Sequence, residues 1–271
     1  MPIDPVRDAA IDVLLRVERK GMRLDDSIDK TMRRKGAALS ARGKRFLAQL
    51  VYGTVRHQGL CDRVYAPFLN QPAAKLPDEV RIILRMGVYQ SLFLNQVTFP
   101  AMVHTSVELA KKRAHSGLAK VTNAVLRKIP QSLDEITFPD PAIDPIAYMV
   151  VRCSLPTWLA NKWLADFGDD TACAIARASI EEAGLTARVN TTKTSMDDLL
   201  DALRRAEFYA DPYSDIPGAL AINGPGIIAS KAFQHGHLTL QDYASMLPAH
   251  ALGAEPGERI LDACAAPGTK S

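Results

Sequence analysis

The sequence predicts a multidomain chain: an all-α helical bundle, then a mixed α+β connector, then the opening of a Rossmann-like α/β nucleotide-binding domain. Three observations carry this. Apolar residues recur three and four apart through the first 130 residues, the period of helices with one buried face. Four prolines (Pro130, Pro139, Pro141 and Pro145) then fall beside Asp134, Asp140 and Asp144, so no regular helix is expected over 131–145, which reads as a linker. Near Ser271, an apolar strand over 260–263 runs into small residues and a Pro267-Gly268 turn, the pattern of a strand that hands over to a helix N-terminus at a nucleotide site. The expected divisions are 1–130, 131–145, 146–236 and 237–271.

Composition narrows the classes. With 47% hydrophobic and 23% charged residues in 271, the chain can bury a substantial core. No apolar run approaches the roughly 20 residues a bilayer span needs, and the N-terminus lacks a signal-peptide pattern, so a cytoplasmic protein without membrane contact is expected. Cys61, Cys153, Cys173 and Cys264 have no paired spacing, which fits neither a disulfide framework nor a zinc site, and three of them are expected as small buried residues. The net charge of +3 hides a split: residues 1–130 hold 23 Lys and Arg against 11 Asp and Glu, and the remainder holds 10 against 19. An N-terminal module that meets a polyanion follows from that split, because Lys and Arg contacts to phosphates release counterions.

Taken in order, Asp4 is a candidate N-cap with Pro5 at the first helical position, and Val6, Ala10, Val13, Leu14 and Val17 make one stripe up to Gly21. A second helix runs from about Leu24 to Met32, followed by a basic loop, Arg33-Arg34-Lys35-Gly36, expected to face solvent. Ser40 caps a longer helix carrying Phe46, Leu47, Leu50, Val51 and Thr54, continuing past a break near Gly59 to Leu60 and Val64. From Asp78 comes a helix apolar on most faces, expected to be central. Pro100 starts the next, whose Lys111-Lys112-Arg113 end suits the macrodipole, with Gly117 as its stop. Leu118 to Ile129 form the last helix of the bundle.

Beyond the linker, Ser154-Leu155-Pro156-Thr157-Trp158 opens a helix that ends at Gly168, and a second follows from about Asp170 to Ala183. Leu185, Ala187 and Val189 alternate as a strand, Ser195 opens an acidic capping pattern, and short strands follow around Ala219 and Ile222. His235-Gly236-His237 is a weak ligand set with no nearby Cys or carboxylate cluster, and a turn before a Leu238 strand is the better account; no metal is expected. No phosphate loop of the Walker type and no Ser-His-Asp arrangement is present.

The run Cys264-Ala265-Ala266-Pro267-Gly268-Thr269-Lys270 resembles motif I of the RNA cytosine-5 methyltransferases, the segment that contacts S-adenosylmethionine. Leu240-Gln241-Asp242-Tyr243-Ala244-Ser245 resembles the stretch that precedes it, and Ser154-Leu155-Pro156-Thr157-Trp158 and Arg188-Val189-Asn190 resemble signatures of the small subdomain in between. Thr269 departs from many members, which carry a second glycine there; a β-branched residue would be strained if the position needed positive φ. In the first 130 residues, Arg7, Ala10 and Leu14, the run Leu50-Val51-Tyr52-Gly53-Thr54-Val55-Arg56, and Val121-Thr122-Asn123-Ala124-Val125-Leu126-Arg127 are similar to the NusB-type RNA-binding fold found ahead of one bacterial branch of those enzymes.

The resemblance implies methylation of cytosine C5 in 16S ribosomal RNA, with S-adenosylmethionine held by residues 264–270. Cytosine C5 is a poor nucleophile, so in the family a cysteine thiolate adds at C6 and makes C5 able to accept the methyl group. The family's two working cysteines lie downstream of motif I, so no catalytic residue is expected within these 271 residues, and Cys264 is expected to line the cofactor loop. The chain accordingly reads as the front of a longer protein. Arg7, Arg33, Arg34, Lys35, Arg42, Lys44 and Arg45 are the candidate RNA contacts, and Asn123 is expected as an ordinary polar residue on a helix surface. The competing reading is a non-enzymatic RNA-binding or antitermination module working through residues 1–130 alone.

Overall fold

Asp4 caps the first helix as its sequence suggests: its carboxylate accepts from the backbone N–H of Val6 at 2.9 Å and of Arg7 at 3.0 Å. The helix, α1 (Pro5–Lys20), ends at Gly21 with φ +59, the left-handed stop that glycine tolerates best. This computed structural model describes residues 4–132, 135–224, 226–266 and 268–269. The chain divides into two units, Met1–Glu181 and Glu182–Ser271. That division falls inside the stretch 146–236 expected to form one subdomain.

The first unit is helical: α2 (Leu24–Lys35), α3 (Ala41–Arg56), α4 (Gln58–Tyr65), α5 (Asp78–Phe93), α6 (Phe99–Arg113), α7 (Ser116–Ser132), α8 (Pro145–Arg152), α9 (Thr157–Phe167) and α10 (Asp169–Ser179) follow α1. Helix α5 is the central one, with Val80, Ile82, Ile83, Leu84, Met86 and Val88 all buried, because a helix apolar on most faces has no side it gains by exposing. Gly87 lets it meet α7 closely, since a Cβ there would lie 2.8 Å from the Leu126 side chain. Thr122 is fully buried in α7, its hydroxyl satisfied by the Leu118 carbonyl at 2.9 Å, so a hydroxyl is accommodated at a core position.

Several boundaries differ from expectation. Helix α2 runs on to Lys35, so Arg33, Arg34 and Lys35 are its last turn, where cations suit the macrodipole, and Gly36–Ala38 tightens into a 3₁₀ turn. The break after α3 comes at His57, and Gly59 lies within α4. Gly59 has a packing reason: a Cβ there would overlap the Val150 carbonyl of α8, and its own N–H donates to Ser154 Oγ at 2.9 Å. Helix α6 stops at Ala114, and Gly117 belongs to α7. Helix α8 was not expected at all, although Asp144-Pro145 carries its signal: the Asp144 carboxylate accepts from Ala147 N–H at 2.9 Å, with Pro145 at the first helical position. Of the linker, Ile136 and Phe138 pack on the bundle core and Arg63 donates to the Thr137 carbonyl at 2.8 Å, so this stretch is strapped to the first unit.

The second unit is a four-stranded antiparallel sheet of order β2-β3-β1-β4, made of β1 (Leu185–Val189), β2 (Tyr209–Pro212), β3 (Ala219–Asn223) and β4 (Leu238–Leu240). Strand alternation sends Ala187, Val189, Leu220, Ile222 and Leu238 to one face, packed with Leu199 and Leu203 of α11 (Met196–Arg205). Ser195 caps α11 by accepting from Asp198 N–H at 3.1 Å. On the other face Ala219 clusters with Ile216 and with Met246 and Tyr243 of α13 (Tyr243–Leu252). His235-Gly236-His237 is the turn after α12 (Lys231–Gln234) and before β4, with Gly236 at φ +70. The expected strand at 260–263 does not form: those residues carry no strand, and Leu261 is 87% exposed. A short, mostly apolar strand is stable only between neighbours, and among the described residues none pairs with it.

One pH effect follows from the α3–α4 corner. The His57 ring stacks on Phe93 at 4.2 Å, its Nδ1 is buried without a hydrogen-bond partner among the described residues, and burial, helped by Arg56, pushes its pKa below the ordinary value. Because the folded value is depressed, the unfolded chain binds the proton better, so stability is lost as pH falls below about 6.5, the unfolded value. Thermal melts should show a drop between neutral pH and the folded pKa that His57→Gln removes; an equal drop in both proteins would put its origin elsewhere.

Candidate nucleic-acid interface

Three of the candidate RNA contacts meet in one cleft of about 650 Å³, formed where the N-terminal ends of α1 and α3 approach the loop after α5. Ser40 starts α3 by accepting from Gly43 N–H at 3.1 Å, and Gly43 lets α1 come close, since a Cβ there would lie 3.3 Å from Val6. Arg42, Arg45 and Gln49 then fall three and four apart along α3 and line the cleft with Arg7, Phe46 and Gln96. Arg7 is not a free surface cation. Its Nε donates to Gln90 Oε1 at 2.7 Å, its guanidinium pairs with Asp4 and lies 4.9 Å over the Phe46 ring, and its side chain is only 12% exposed. Gln90 is itself held, donating to the Met86 carbonyl at 2.8 Å, so Arg7 is a fixed donor at the cleft wall. Arg42 and Arg45 are exposed, and neither has an ion-pair partner among the described residues. Lys44, equally exposed, lies outside the cleft, near the Gly36 turn.

The other two basic clusters behave differently. Lys35 is exposed, as expected, but paired: its Nζ lies 2.6 Å from Asp12 and 3.7 Å from Asp8. Arg113 donates to Asp8 at 2.8 Å and to Asp12 at 2.7 Å, Lys112 reaches Asp8 at 3.1 Å, and Lys111 pairs with Glu108 at 2.7 Å. Asp8 is buried, so these cations neutralise a carboxylate that the fold places between α1, α2 and α6. Burial alone would raise the Asp12 pKa, but the hydrogen bonds from Lys35 and Arg113 outweigh it and hold the carboxyl below its ordinary value. Arg33 and Arg34 are exposed, yet they share their depression with Asp26 and Asp29, which weakens the local positive field. The sequence could not separate these clusters, because which basic run meets a carboxylate depends on which helices pack together. Asn123 accepts from Arg127 at 3.0 Å on the surface of α7, an ordinary role for a polar helix residue.

Of the candidate cofactor residues, Cys264, Ala265, Ala266, Gly268 and Thr269 are exposed, and Pro267 and Lys270 lie outside the described residues. Gly268 takes φ +99 while Thr269 is not among the positive-φ residues, so the position that would strain a β-branched side chain is occupied by glycine. The turn is held locally: Cys264 N–H donates to Asp262 Oδ1 at 3.0 Å. Cys61, Cys153 and Cys173 are buried, as expected of small apolar residues, and burial pushes each thiol up, away from nucleophilic thiolate. Among the described residues, no helix is long and apolar enough to cross a membrane.

Two family models match the chain, and the second of them runs across the boundary between the two units. Residues 4–131 match the NusB family, and residues 155–229 match the RsmF/B-like methyltransferase ferredoxin-like domain. A probable ribosomal RNA small subunit methyltransferase B of Bacillus subtilis is 32% identical over 98% of the chain and 58% of that protein. The ribosomal RNA small subunit methyltransferase B of Thermus thermophilus is 34% identical over 98% of the chain and 56% of its own length. The chain thus spans a little over half of these relatives. The crystal structure of PH0851 shares the fold, with a TM-score of 0.61 at 22% identity, over the whole of this chain and 60% of that one.

Proposed function

We propose, for a chain that joins a NusB-family domain to the RsmF/B-like methyltransferase ferredoxin-like domain, that it is the RNA-gripping and cofactor-entry part of an enzyme that methylates cytosine C5 in 16S ribosomal RNA. The observation that carries the RNA reading is the arginine cleft: Arg7 fixed by Gln90 and Phe46, beside Arg42 and Arg45 that have no carboxylate partner among the described residues. A fixed guanidinium such as that of Arg7 suits phosphate geometry, and the neighbouring aromatic ring and the Gln49 and Gln96 amides offer a base something to pack on and to hydrogen-bond. The methyltransferase reading rests on the relatives' names and on the small-residue run 264–270. S-adenosylmethionine, when bound, supplies an electrophilic methyl group. Residues 264–270 fit its contact loop, because small side chains and the positive φ of Gly268 allow close backbone approach.

In the protein encoded by the whole gene, tritium from S-adenosylmethionine is expected in 16S RNA, recovered as 5-methylcytidine. Label in a different nucleoside, or none, would remove the C5 assignment, and RNA binding without transfer would favour the non-enzymatic module. Gly268→Asp should weaken cofactor binding at least tenfold by calorimetry, because it puts both a side chain and a negative charge in the loop at a left-handed position. Unchanged affinity in that variant would place the cofactor elsewhere.

A further inference from the structure

A second polar cleft, of about 500 Å³, lies wholly within the second unit, on the α13 side of the sheet, and has no role in the account so far. Its central group is Arg188. Strand alternation turns Arg188 away from the Ala187 and Val189 core, and its cross-strand neighbours are Ala219 on β3 and Thr239 on β4. Neither offers an acceptor at its side-chain end that would balance a charge. Besides Arg188, the polar side chains of the lining are Asn190, Thr191, Thr192, Thr239 and His250, with no carboxylate among them. Arg188 is half-buried, and its five N–H donors find no hydrogen-bond partner among the described residues. This is unusual for its surroundings, because residues 182–271 hold seven Lys and Arg against eleven Asp and Glu. An acidic unit that keeps carboxylates out of a cleft holding a half-buried guanidinium leaves that charge for an anion from outside.

Asn190 shapes the cleft and is already committed. Its Nδ2 donates to the Gly236 carbonyl at 3.0 Å, and its Oδ1 accepts from Thr192 Oγ1 at 2.7 Å, which ties the end of β1 to the turn before β4. The cleft wall is therefore rigid, with Arg188, Thr191, Thr239 and His250 left to meet a ligand. We propose that this cleft binds a phosphodiester group of the RNA substrate, with Arg188 as the anchoring cation and threonine hydroxyls as additional donors. The inference rests on the RNA reading above and adds a second, separate point of grip on the other unit. Its volume exceeds what one tetrahedral anion needs and leaves room for a nucleotide, which favours a backbone phosphate over a free ion.

The test uses the 271-residue chain and a fluorescein-labelled single-stranded oligoribonucleotide, titrated across salt concentrations. Arg188→Gln should bind about tenfold more weakly and lower the log affinity against log salt slope by about 0.7, the share of one phosphate on a single strand. Arg188→Lys should restore the slope, since it restores the charge. Wild-type slope and affinity in Arg188→Gln, alongside a loss in Arg42→Gln, would overturn this cleft while leaving the RNA reading intact; no RNA binding by the wild-type chain would remove both. A free-phosphate site predicts that inorganic phosphate raises the melting temperature of the wild type alone, with RNA affinity untouched, and that result also overturns the proposal. So does an Arg188→Gln variant that melts well below the wild type without any ligand, because the guanidinium would then be holding the fold.

Discussion

Replacing Arg42, Lys44 and Arg45 together by glutamine should lower the slope of log RNA affinity against log salt by about 2 to 3, whereas the same change at Lys111, Lys112 and Arg113 should leave it nearly intact. The two clusters look alike as strings of residues. Their surroundings differ: the α3 cluster has no carboxylate partner among the described residues, and the α6 cluster is bound to Glu108, Asp8 and Asp12. A cation already paired within the protein releases few counterions when RNA arrives, so its loss registers as stability instead. Removing Arg113 beside buried Asp8 should destabilise the chain by about 3 kcal/mol, the cost of leaving a buried carboxylate short of a partner. Filter-binding titrations over a range of salt, run beside thermal melts, read both effects. Equal slopes for the two triple variants would show that the arginine cleft is not the contact surface.

Gly53→Ala should be among the most damaging single-methyl additions in the bundle, lowering stability by about 3 kcal/mol. A Cβ at position 53 of α3 would land within the Tyr89 ring of α5, and Gly53 is buried on that contact. Tyr89 has nowhere easy to go, because it is 6% exposed and stacks on Phe93 at 5.3 Å and on His57 at 6.0 Å. The alanine would therefore push apart α3 and α5 or unstack three rings. The pair Gly53→Ala with Tyr89→Leu tests the cause: if the ring is the obstacle, the double variant should be less destabilised than the sum of the singles. Strict additivity would mean that the glycine matters through its backbone alone.

Much of this is legible in the sequence. Helix starts carry their own chemistry, so Asp4, Ser40 and Ser195 announce α1, α3 and α11 by the hydrogen bonds their side chains make to nearby backbone. The all-round apolar surface of 78–93 marks the central helix, and the alternation of Leu185, Ala187 and Val189 marks a sheet strand with one face covered. Within the Tyr-Gly and Val-Thr-Asn-Ala stretches, Gly53, Thr54 and Thr122 are buried in the bundle, whereas Tyr52 and Ala124 are exposed. Asp144-Pro145 carries the start of α8, because a proline at the first helical position opens a helix where prolines elsewhere would break one.

Determined by the sequence alone, then, are the local starts and stops, the face each element must bury, and the small-residue run at 264–270, since each depends on residues within a turn or two of one another. Decided only by the tertiary structure are the fates of the charges and the closeness of the helices. Lys35 and Arg113 lie 78 positions apart in the chain, yet both reach Asp8 and Asp12, and that pairing separates cations held by carboxylates from those without such a partner among the described residues. Gly53 reads as a helix weakness until Tyr89 arrives from another helix, and 260–263 reads as a strand until it is seen to lack neighbours. The physical reason is the same in each case: electrostatic pairing and close packing are properties of neighbours in space, and periodicity reports only neighbours along the chain.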